Sequence, residues 1–231
     1  MNRAVAVRDA ATVILLRDPE GDPKVLMGKR GARAAFMPDK YVFPGGAVDS
    51  VDALVPLAEP VAPVCAARLE EASRAPAAAT LAAAAIRELW EETGQILGVR
   101  GRWPSSAPRG WEGFAATGHV PSPAGLGFVL RAVTPAGRPR RFDARFFLAD
   151  ARRLATDPDD FSLGADELSD LAWIPLSQVR GFDLPFITQV ALAEVMQRLP
   201  DLSPPPRVPF FRNDDEENLI AVLGGESPLP A

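Results

Sequence analysis

Four charged residues lie within the six positions of the stretch RELWEE, residues 87–92. Positions i, i+3 and i+4 share one face of a helix, so Glu88, Glu91 and Glu92 would form a single acidic cluster. Like charges at this spacing destabilise a helix by roughly 0.2–0.5 kcal/mol per pair. A divalent cation reverses that effect, because Mg²⁺ prefers carboxylate oxygens and commonly also binds substrate phosphates. Taken alone, the stretch favours a solvated acidic face on which Arg87 is a local partner.

The element that must present this cluster is predicted to be a helix from Ala77 to Thr93. Gly94 follows it directly and suits a C-terminal cap. The face opposite the glutamates carries apolar side chains that would anchor the helix in a core, and these are Leu81, Ala85, Ile86 and Leu89. The acidic face is therefore expected to be held in a fixed position.

The stretch Arg87–Gly94 resembles the second half of the signature of the Nudix hydrolases, G-x5-E-x7-R-E-U-x-E-E-x-G-U, where U is apolar. In the first half, five residues separate Gly46 from Asp52, so Asp52 stands where the family usually has Glu. Gln95 stands where an apolar residue is usual. Asp52 and Arg87 are 35 positions apart instead of 8, and we interpret the Ala/Pro-rich segment 53–79 as an insertion of 27 residues. Loop closure becomes only slowly more costly with length, but the role of Asp52 stays open.

Together with "AFMPDKYVFPGGAVDSVD" and "RRFDARFFLAD", the split signature is similar to a branch of that family whose eukaryotic members are peroxisomal coenzyme A diphosphatases. The resemblance implies an α/β Nudix fold, which is an α/β/α sandwich with a mixed central sheet and, here, a small helical insertion. It implies one domain over residues 1–231, with the insertion at about 53–79 and a partly irregular C-terminal tail from about 203.

The resemblance also implies roles for individual residues. Mg²⁺ (or Mn²⁺) would be bound by Glu88, Glu91 and Glu92 and by the backbone carbonyl of Gly45. Arg87 would hold the glutamates in place, and the general base would come either from the helix, as Glu88, or from a later loop. In "LGADELSDLAW" Glu167 is the favoured base, with Asp166 behind it. Substrate contacts are expected from Lys29, Arg30, Arg33 and Gly46.

The implied reaction is hydrolysis of the pyrophosphate of a nucleoside diphosphate linked to another group. The first expected substrate is coenzyme A or an acyl-coenzyme A, which would give 3′,5′-ADP and a phosphopantetheine. ADP-ribose, NADH and other nucleotides stay open, as does a Nudix fold that binds a ligand without catalysis. All three glutamates are present, which favours an enzyme.

Hydrophobic patterning predicts the strands around the helix. "ATVILLRD" and "KVLMGKR" indicate a hairpin, "YVFPGGAVD" a short strand running into a Gly-Gly turn, and "RRFDARFFLAD" and "LSDLAWIPLSQV" two later strands. "CAARLEEASR" favours a short helix, and residues 183–199 an amphipathic one. "ATGHVPSPAG", with the single histidine His119, indicates a loop, and the prolines of "SPPPRVPFF" argue against a helix or a sheet interior.

Composition excludes several classes of protein. The net charge of −5 over 231 residues argues against a nucleic-acid partner. The single cysteine, Cys65, allows no disulfide within one chain and fits a reducing, cytoplasmic setting. No apolar run is long enough for a membrane span, and the N-terminal residues do not resemble a signal peptide. A small nucleotide substrate is the expected partner, and a homodimer is possible.

Overall fold

The computed structural model describes residues 5–32, 34, 37–73, 76–213 and 220–224. Within these ranges, no helix combines the length and the apolar character needed to cross a bilayer. The strands and α-helices in chain order are β1 (Val7–Arg17), β2 (Lys24–Arg30), β3 (Tyr41–Val42), β4 (Gly45–Ala47), α1 (Pro63–Glu70), α2 (Ala78–Thr93), β5 (Gly98–Arg100), α3 (Glu112–Ala116), β6 (His119–Pro121), β7 (Gly127–Val133), β8 (Arg141–Asp150), β9 (Leu168–Pro175), α4 (Phe186–Met196), β10 (Val208–Phe211) and β11 (Ile220–Leu223).

Nine of these strands form one mixed sheet. Its order is β11-β10-β7-β8-β1-β2-β3, with β4 also paired to β1 and β9 also paired to β2. β1 runs parallel to β8 in the register Val7↔Arg141 to Leu16↔Asp150, and β10 runs parallel to β7. The other ladders are antiparallel, and β5 and β6 form a separate pair. The predicted mixed central sheet is confirmed.

Helices cover both faces of this sheet. On β1, Val13 and Leu15 belong to the core under α1 and α2, whereas Ile14 and Leu16 belong to the core under α4. A strand that is buried on both faces reads as a continuous apolar run, which explains the pattern "ATVILL". The architecture is the predicted α/β/α sandwich.

The proposed insertion, residues 53–79, contains one short helix. Cys65 and Leu69 of α1 are buried in the same core as α2. Arg68 donates hydrogen bonds to the backbone carbonyls of Pro205 and Pro206. The segment is thus integrated into the core and is attached to the chain just before β10.

Several local expectations differ from the structure. Gly45 and Gly46 lie in strand β4 and not in a turn. His119 begins strand β6 and is buried, instead of lying in an exposed loop. The strand β7 was not predicted, although "GFVLRAV" is a nearly continuous apolar run. β10 forms within "SPPPRVPFF" because its pairing with β7 involves only Phe210 and Phe211, after the last proline.

Candidate active site

Helix α2 presents the acidic cluster and spans Ala78–Thr93, within one residue of the prediction. Its alanine-rich first half favours the helical state, and Leu81, Ile86 and Leu89 are fully buried. Gly94 ends the helix in the left-handed conformation at φ 75°, and its N–H donates to the Trp90 carbonyl at 2.8 Å. The glutamates therefore project from a rigid, capped helix.

Strand β4 lies directly against this acidic face. The Gly45 N–H donates to Glu92 Oε2 at 2.8 Å. A Cβ atom at Gly46 would lie 2.4 Å from Glu88 Oε2, which is closer than any real contact. Any larger residue at position 46 would therefore displace the Glu88 carboxylate from its present position.

Arg87 is the organising cation of the cluster. Its guanidinium donates to Asp52 Oδ1 at 2.9 Å and Oδ2 at 3.0 Å, to Glu88 Oε1 at 2.9 Å and to Glu91 Oε2 at 2.8 Å. It also donates to the Ala47 carbonyl at 2.9 Å. Burial disfavours its charged form, yet the Asp52 hydrogen bonds and the glutamates raise the pKa of Arg87 above its ordinary value. Arg87 is placed to hold the glutamates.

Asp52, whose role the sequence left open, is a structural partner of Arg87. It is 1% exposed and accepts a second set of hydrogen bonds, from Trp111 Nε1 at 3.0 Å and from the Asp49 N–H at 2.8 Å. Asp52 therefore fixes the guanidinium from the side opposite the glutamates. Sequence reasoning found Asp52 by counting from Gly46, but nothing in the sequence pointed to Trp111.

The negative charges of Glu88 and Glu92 are not fully balanced by the arginines around them. Burial, opposed by Arg87 and assisted by Glu91 and Glu167, raises the pKa of Glu88 from 4.5 to about 7. Burial and the neighbouring Glu88 raise the pKa of Glu92 well above its ordinary value. Glu92 is 2% exposed, and its Oε1 has no hydrogen-bond partner among the described residues.

These features fit a divalent cation better than they fit isolated carboxylates. An unpaired buried carboxylate oxygen is costly, and an added positive charge would stabilise the ionised forms of Glu88 and Glu92 together. Within the described residues, no group of three or more histidine, cysteine, aspartate or glutamate side chains is already arranged to hold a metal ion. A cation such as Mg²⁺ would need waters and substrate oxygens to complete its coordination here.

The loop before β9 brings Glu167 to the cluster. The Ala165 N–H donates to the Glu91 carbonyl at 2.7 Å, so this loop is attached to the end of α2. Glu167 raises the pKa of both Glu88 and Glu92, which places its charge close to them. Its own carboxylate accepts from Arg30 Nη2 at 3.0 Å.

The basic residues predicted to contact the substrate do not all lie at the carboxylate cluster. Arg30 lies at the cluster, where its charge lowers the pKa of Glu92, and its buried Nε has no partner among the described residues. Lys29 precedes Arg30 in β2, and its Nζ lies 3.8 Å from Asp39 Oδ1. Arg33 falls outside the described residues, so its predicted substrate contact stays a prediction.

Comparison with known proteins decides the family. A family model for the NUDIX domain matches residues 7–199. The chain belongs to the Nudix hydrolase family. A protein of Caenorhabditis elegans provisionally named nudix hydrolase 7 is 31% identical over an alignment of 179 positions, which covers 72% of this chain and 51% of that protein. The Nudix chain therefore spans about half the length of this relative.

Two solved structures resemble this Nudix protein, and the first of them supports its fold. The crystal structure of a NUDIX hydrolase from Alicyclobacillus acidocaldarius superposes with a TM-score of 0.62 and 26% identity, and covers 84% of this chain and 92% of that one. The NUDIX domain of Shewanella oneidensis NrtR, complexed with ADP ribose, gives a TM-score of 0.48 at 14% identity over 84% of this chain and 88% of that one.

Proposed function

We propose that this Nudix protein is a Mg²⁺- or Mn²⁺-dependent pyrophosphohydrolase that cleaves the pyrophosphate of a nucleoside diphosphate linked to another group. The environment of the Glu92 carboxylate is the observation that supports this function most. Its carboxylate is 2% exposed, one oxygen accepts from the Gly45 N–H, and the other has no partner among the described residues. A bound cation would satisfy that oxygen and balance the charge of Glu88 beside it.

The residues have separate roles in this proposal. Glu88, Glu92 and the Gly45 carbonyl would hold the ion, and Glu91 would support it directly or through water. When bound, the ion neutralises charge on the pyrophosphate oxygens. Arg87 sets the orientation of the glutamate carboxylates through its hydrogen bonds.

Proton transfer is assigned to Glu167 as the general base. Its carboxylate is 57% exposed and lies at the rim of the cluster, where water can reach it. Arg30 donates to one of its oxygens and leaves the other available to accept a proton from the attacking water. Glu88, the alternative base, is more enclosed and is hydrogen-bonded to Arg87.

Coenzyme A or an acyl-coenzyme A is the proposed substrate. Support comes from the resemblance to the coenzyme A diphosphatase branch and from Arg30, which lies beside the carboxylates and donates to Glu167. A guanidinium suits phosphate recognition, and Arg30 Nε is a buried donor without a partner in the described residues. ADP-ribose or NADH would use the same pyrophosphate chemistry, and a binding-only role is the alternative outside enzymes.

The test is incubation of the protein with Mg²⁺ or Mn²⁺ and a panel of coenzyme A, acyl-coenzyme A, ADP-ribose, NADH, diadenosine polyphosphates and nucleoside triphosphates. Mass spectrometry identifies the products. We expect 3′,5′-ADP and phosphopantetheine from coenzyme A, and neither from the Glu92→Gln variant. The matched control is Glu194→Gln on α4, which changes a glutamate of the opposite layer.

Other outcomes would revise the proposal in different ways. Cleavage of another panel member would keep the chemistry and replace the substrate. Tight binding of one member with no cleavage of any would overturn the enzyme and favour the binding module.

Residues 53–79 are proposed to contribute to substrate selection. Because Cys65 and Leu69 are part of the core, deletion would test folding and not selection. Leu54 is the better target, since it is 71% exposed in the short 3-10 helix Ser50–Leu54 that contacts α2. An unchanged substrate ranking in Leu54→Ser would count against this role. A cytoplasmic setting and a homodimer also stay predictions.

A further inference from the structure

Gln95 departs from the family pattern, which has an apolar residue at this position, and it is fully buried. Its Nε2 donates to the carbonyls of Asp157 and Asp160 at 3.1 and 2.8 Å. Its Oε1 accepts from the hydroxyl of Thr156 at 2.6 Å. The side-chain amide of Gln95 thus uses both donors and its acceptor on one loop segment.

That segment opens the loop 155–167, which ends at the proposed base. The Ala155 N–H donates to the Ile96 carbonyl at 2.8 Å, next to Gln95. Further along, the Ala165 N–H donates to the Glu91 carbonyl at 2.7 Å. The loop is therefore attached at two places, to Ile96 just beyond α2 and to Glu91 in its last turn, and Glu167 lies two residues beyond the second attachment.

The backbone between these two attachments lies tightly on the helix end. A Cβ atom at Gly164 would be 2.8 Å from the Glu92 carbonyl, and one at Gly94 would be 2.9 Å from Leu163 Cβ. The outer side of the loop is held by Trp173, whose Nε1 donates to the Pro158 carbonyl at 2.9 Å. A shift of the segment at Gln95 would be transmitted along this packed backbone towards Glu167.

We infer that Gln95 is a positioning residue, which fixes loop 155–167 so that Glu167 is held at the carboxylate cluster. The inference rests on the proposed function, because it acts through the proposed base. A side chain with the apolar character usual in the family would leave the carbonyls of Asp157 and Asp160 without their shared donor. The loop would then occupy several arrangements, and proton transfer would be slower, since it depends on the position of the base.

A double-mutant cycle tests the inference on the panel substrate that the wild-type protein cleaves fastest. Gln95→Leu is expected to lower kcat by about tenfold to a hundredfold while KM changes by less than about twofold. In the Glu167→Gln background the same change should add little further loss, because the base that Gln95 positions is already absent. Gln189→Leu on α4, which removes a single side-chain bond to the Leu184 carbonyl, is the matched control.

Hydrogen exchange gives a readout that does not depend on turnover. In Gln95→Leu, amides 155–165 should exchange faster, while those of α2 keep their protection. If Gln95→Leu does not fold, Thr156→Val removes the hydroxyl that donates to Gln95 from the loop side and should give a smaller change in the same direction.

Distinct results would overturn the inference. The first is an unchanged kcat in folded Gln95→Leu. The second is a loss of kcat from Gln95→Leu that is as large in the Glu167→Gln background as in the wild type. The third is an unchanged kcat in Glu167→Gln itself. If the wild-type protein cleaves no panel member, the proposed function fails. Unchanged exchange of 155–165 would then still refute the structural part of the inference.

Discussion

Two buried arginine centres lie in different parts of the molecule and differ in charge balance. In the first, the single guanidinium of Arg87 contacts three carboxylates, and Glu92 lies beside them. In the second, on β7 and β8, Arg131 and Arg145 share two carboxylates. Arg131 Nη2 lies 2.7 Å from Asp143, and Arg145 Nη1 lies 2.6 Å from Asp9 and 3.2 Å from Asp143.

The difference distinguishes a structural centre from the centre proposed to be functional. The Arg131–Arg145 centre neutralises itself, and Arg131 also donates to the carbonyls of Glu71 and Ala72 and lies 4.1 Å from the ring of Phe210. It therefore connects β7 to the segment after α1 and to β10. The Arg87 centre has more carboxylates than one arginine can balance, so its stable state needs a proton or a metal cation.

The largest effect is expected from removing one charge at the unbalanced centre. Glu92→Gln should lower turnover by about a thousandfold, or roughly 4 kcal/mol, because the proposed ion loses its most buried carboxylate. The fold should survive, since a neutral amide resembles the protonated form that burial already favours. Steady-state kinetics and circular dichroism measure the two expectations, and a variant with near-normal turnover would place the metal elsewhere.

Changing one aspartate in each centre should distinguish the two centres by their effects on turnover. Asp52→Asn and Asp143→Asn both break a buried arginine pair and should each lower the free energy of unfolding by roughly 3–5 kcal/mol. Only Asp52→Asn should also lower turnover per folded molecule, because Arg87 orients the glutamates. Denaturant unfolding with kinetics at low temperature compares them. Equal kinetic effects would remove the distinction.

The stability of the metal-free protein should fall as pH rises through the Glu88 titration. The folded pKa of Glu88 is about 7 against an ordinary 4.5, so the folded protein binds more protons than the unfolded chain between these values. Glu88→Gln should match the wild type at about pH 4, below the ordinary pKa of 4.5, and exceed it by up to about 3 kcal/mol near pH 8. Denaturant unfolding in the presence of a chelator measures the difference in unfolding free energy between the two proteins. A difference that does not change with pH would refute the titration assigned to Glu88.

The smallest effect is expected at the edge of the cluster. Glu91 is 36% exposed at its side chain and pairs with Arg87, so solvent can replace part of its contribution. Glu91→Gln should lower turnover by about tenfold, or roughly 1.4 kcal/mol. A loss as large as that of Glu92→Gln would make Glu91 a primary ligand.

Local signals were sufficient to predict much of this site. Two local signals predict a capped helix with one acidic face. They are the spacing of Glu88, Glu91 and Glu92 and the glycine at position 94, and the helix and its cap are both confirmed. The burial of both faces of β1 was readable from its unbroken apolar run. These features depend on residues close together in the chain, where helix and strand periodicity apply.

Contacts between distant segments were not predictable in the same way. The partners of Asp52 include Arg87 and Trp111, 35 and 59 positions away, and no periodicity connects them. The long-range contacts of Gln95 with residues 156–160 were likewise hidden, although its departure from the apolar residue usual at this position was visible. β10 was missed because a proline suggests an irregular segment, although Pro209 lies within the β10–β11 ladder, opposite Val222.

Binding of Mn²⁺, followed by the electron paramagnetic resonance of the free ion, tests most directly whether the unbalanced centre is a metal site. The wild-type protein and Asp143→Asn should remove Mn²⁺ from solution with similar affinity, whereas Glu92→Gln should bind it at least about tenfold more weakly, a difference of roughly 1.4 kcal/mol. Equal binding by all three proteins, or none by the wild type, would contradict the assignment of the Arg87 centre as the catalytic metal site.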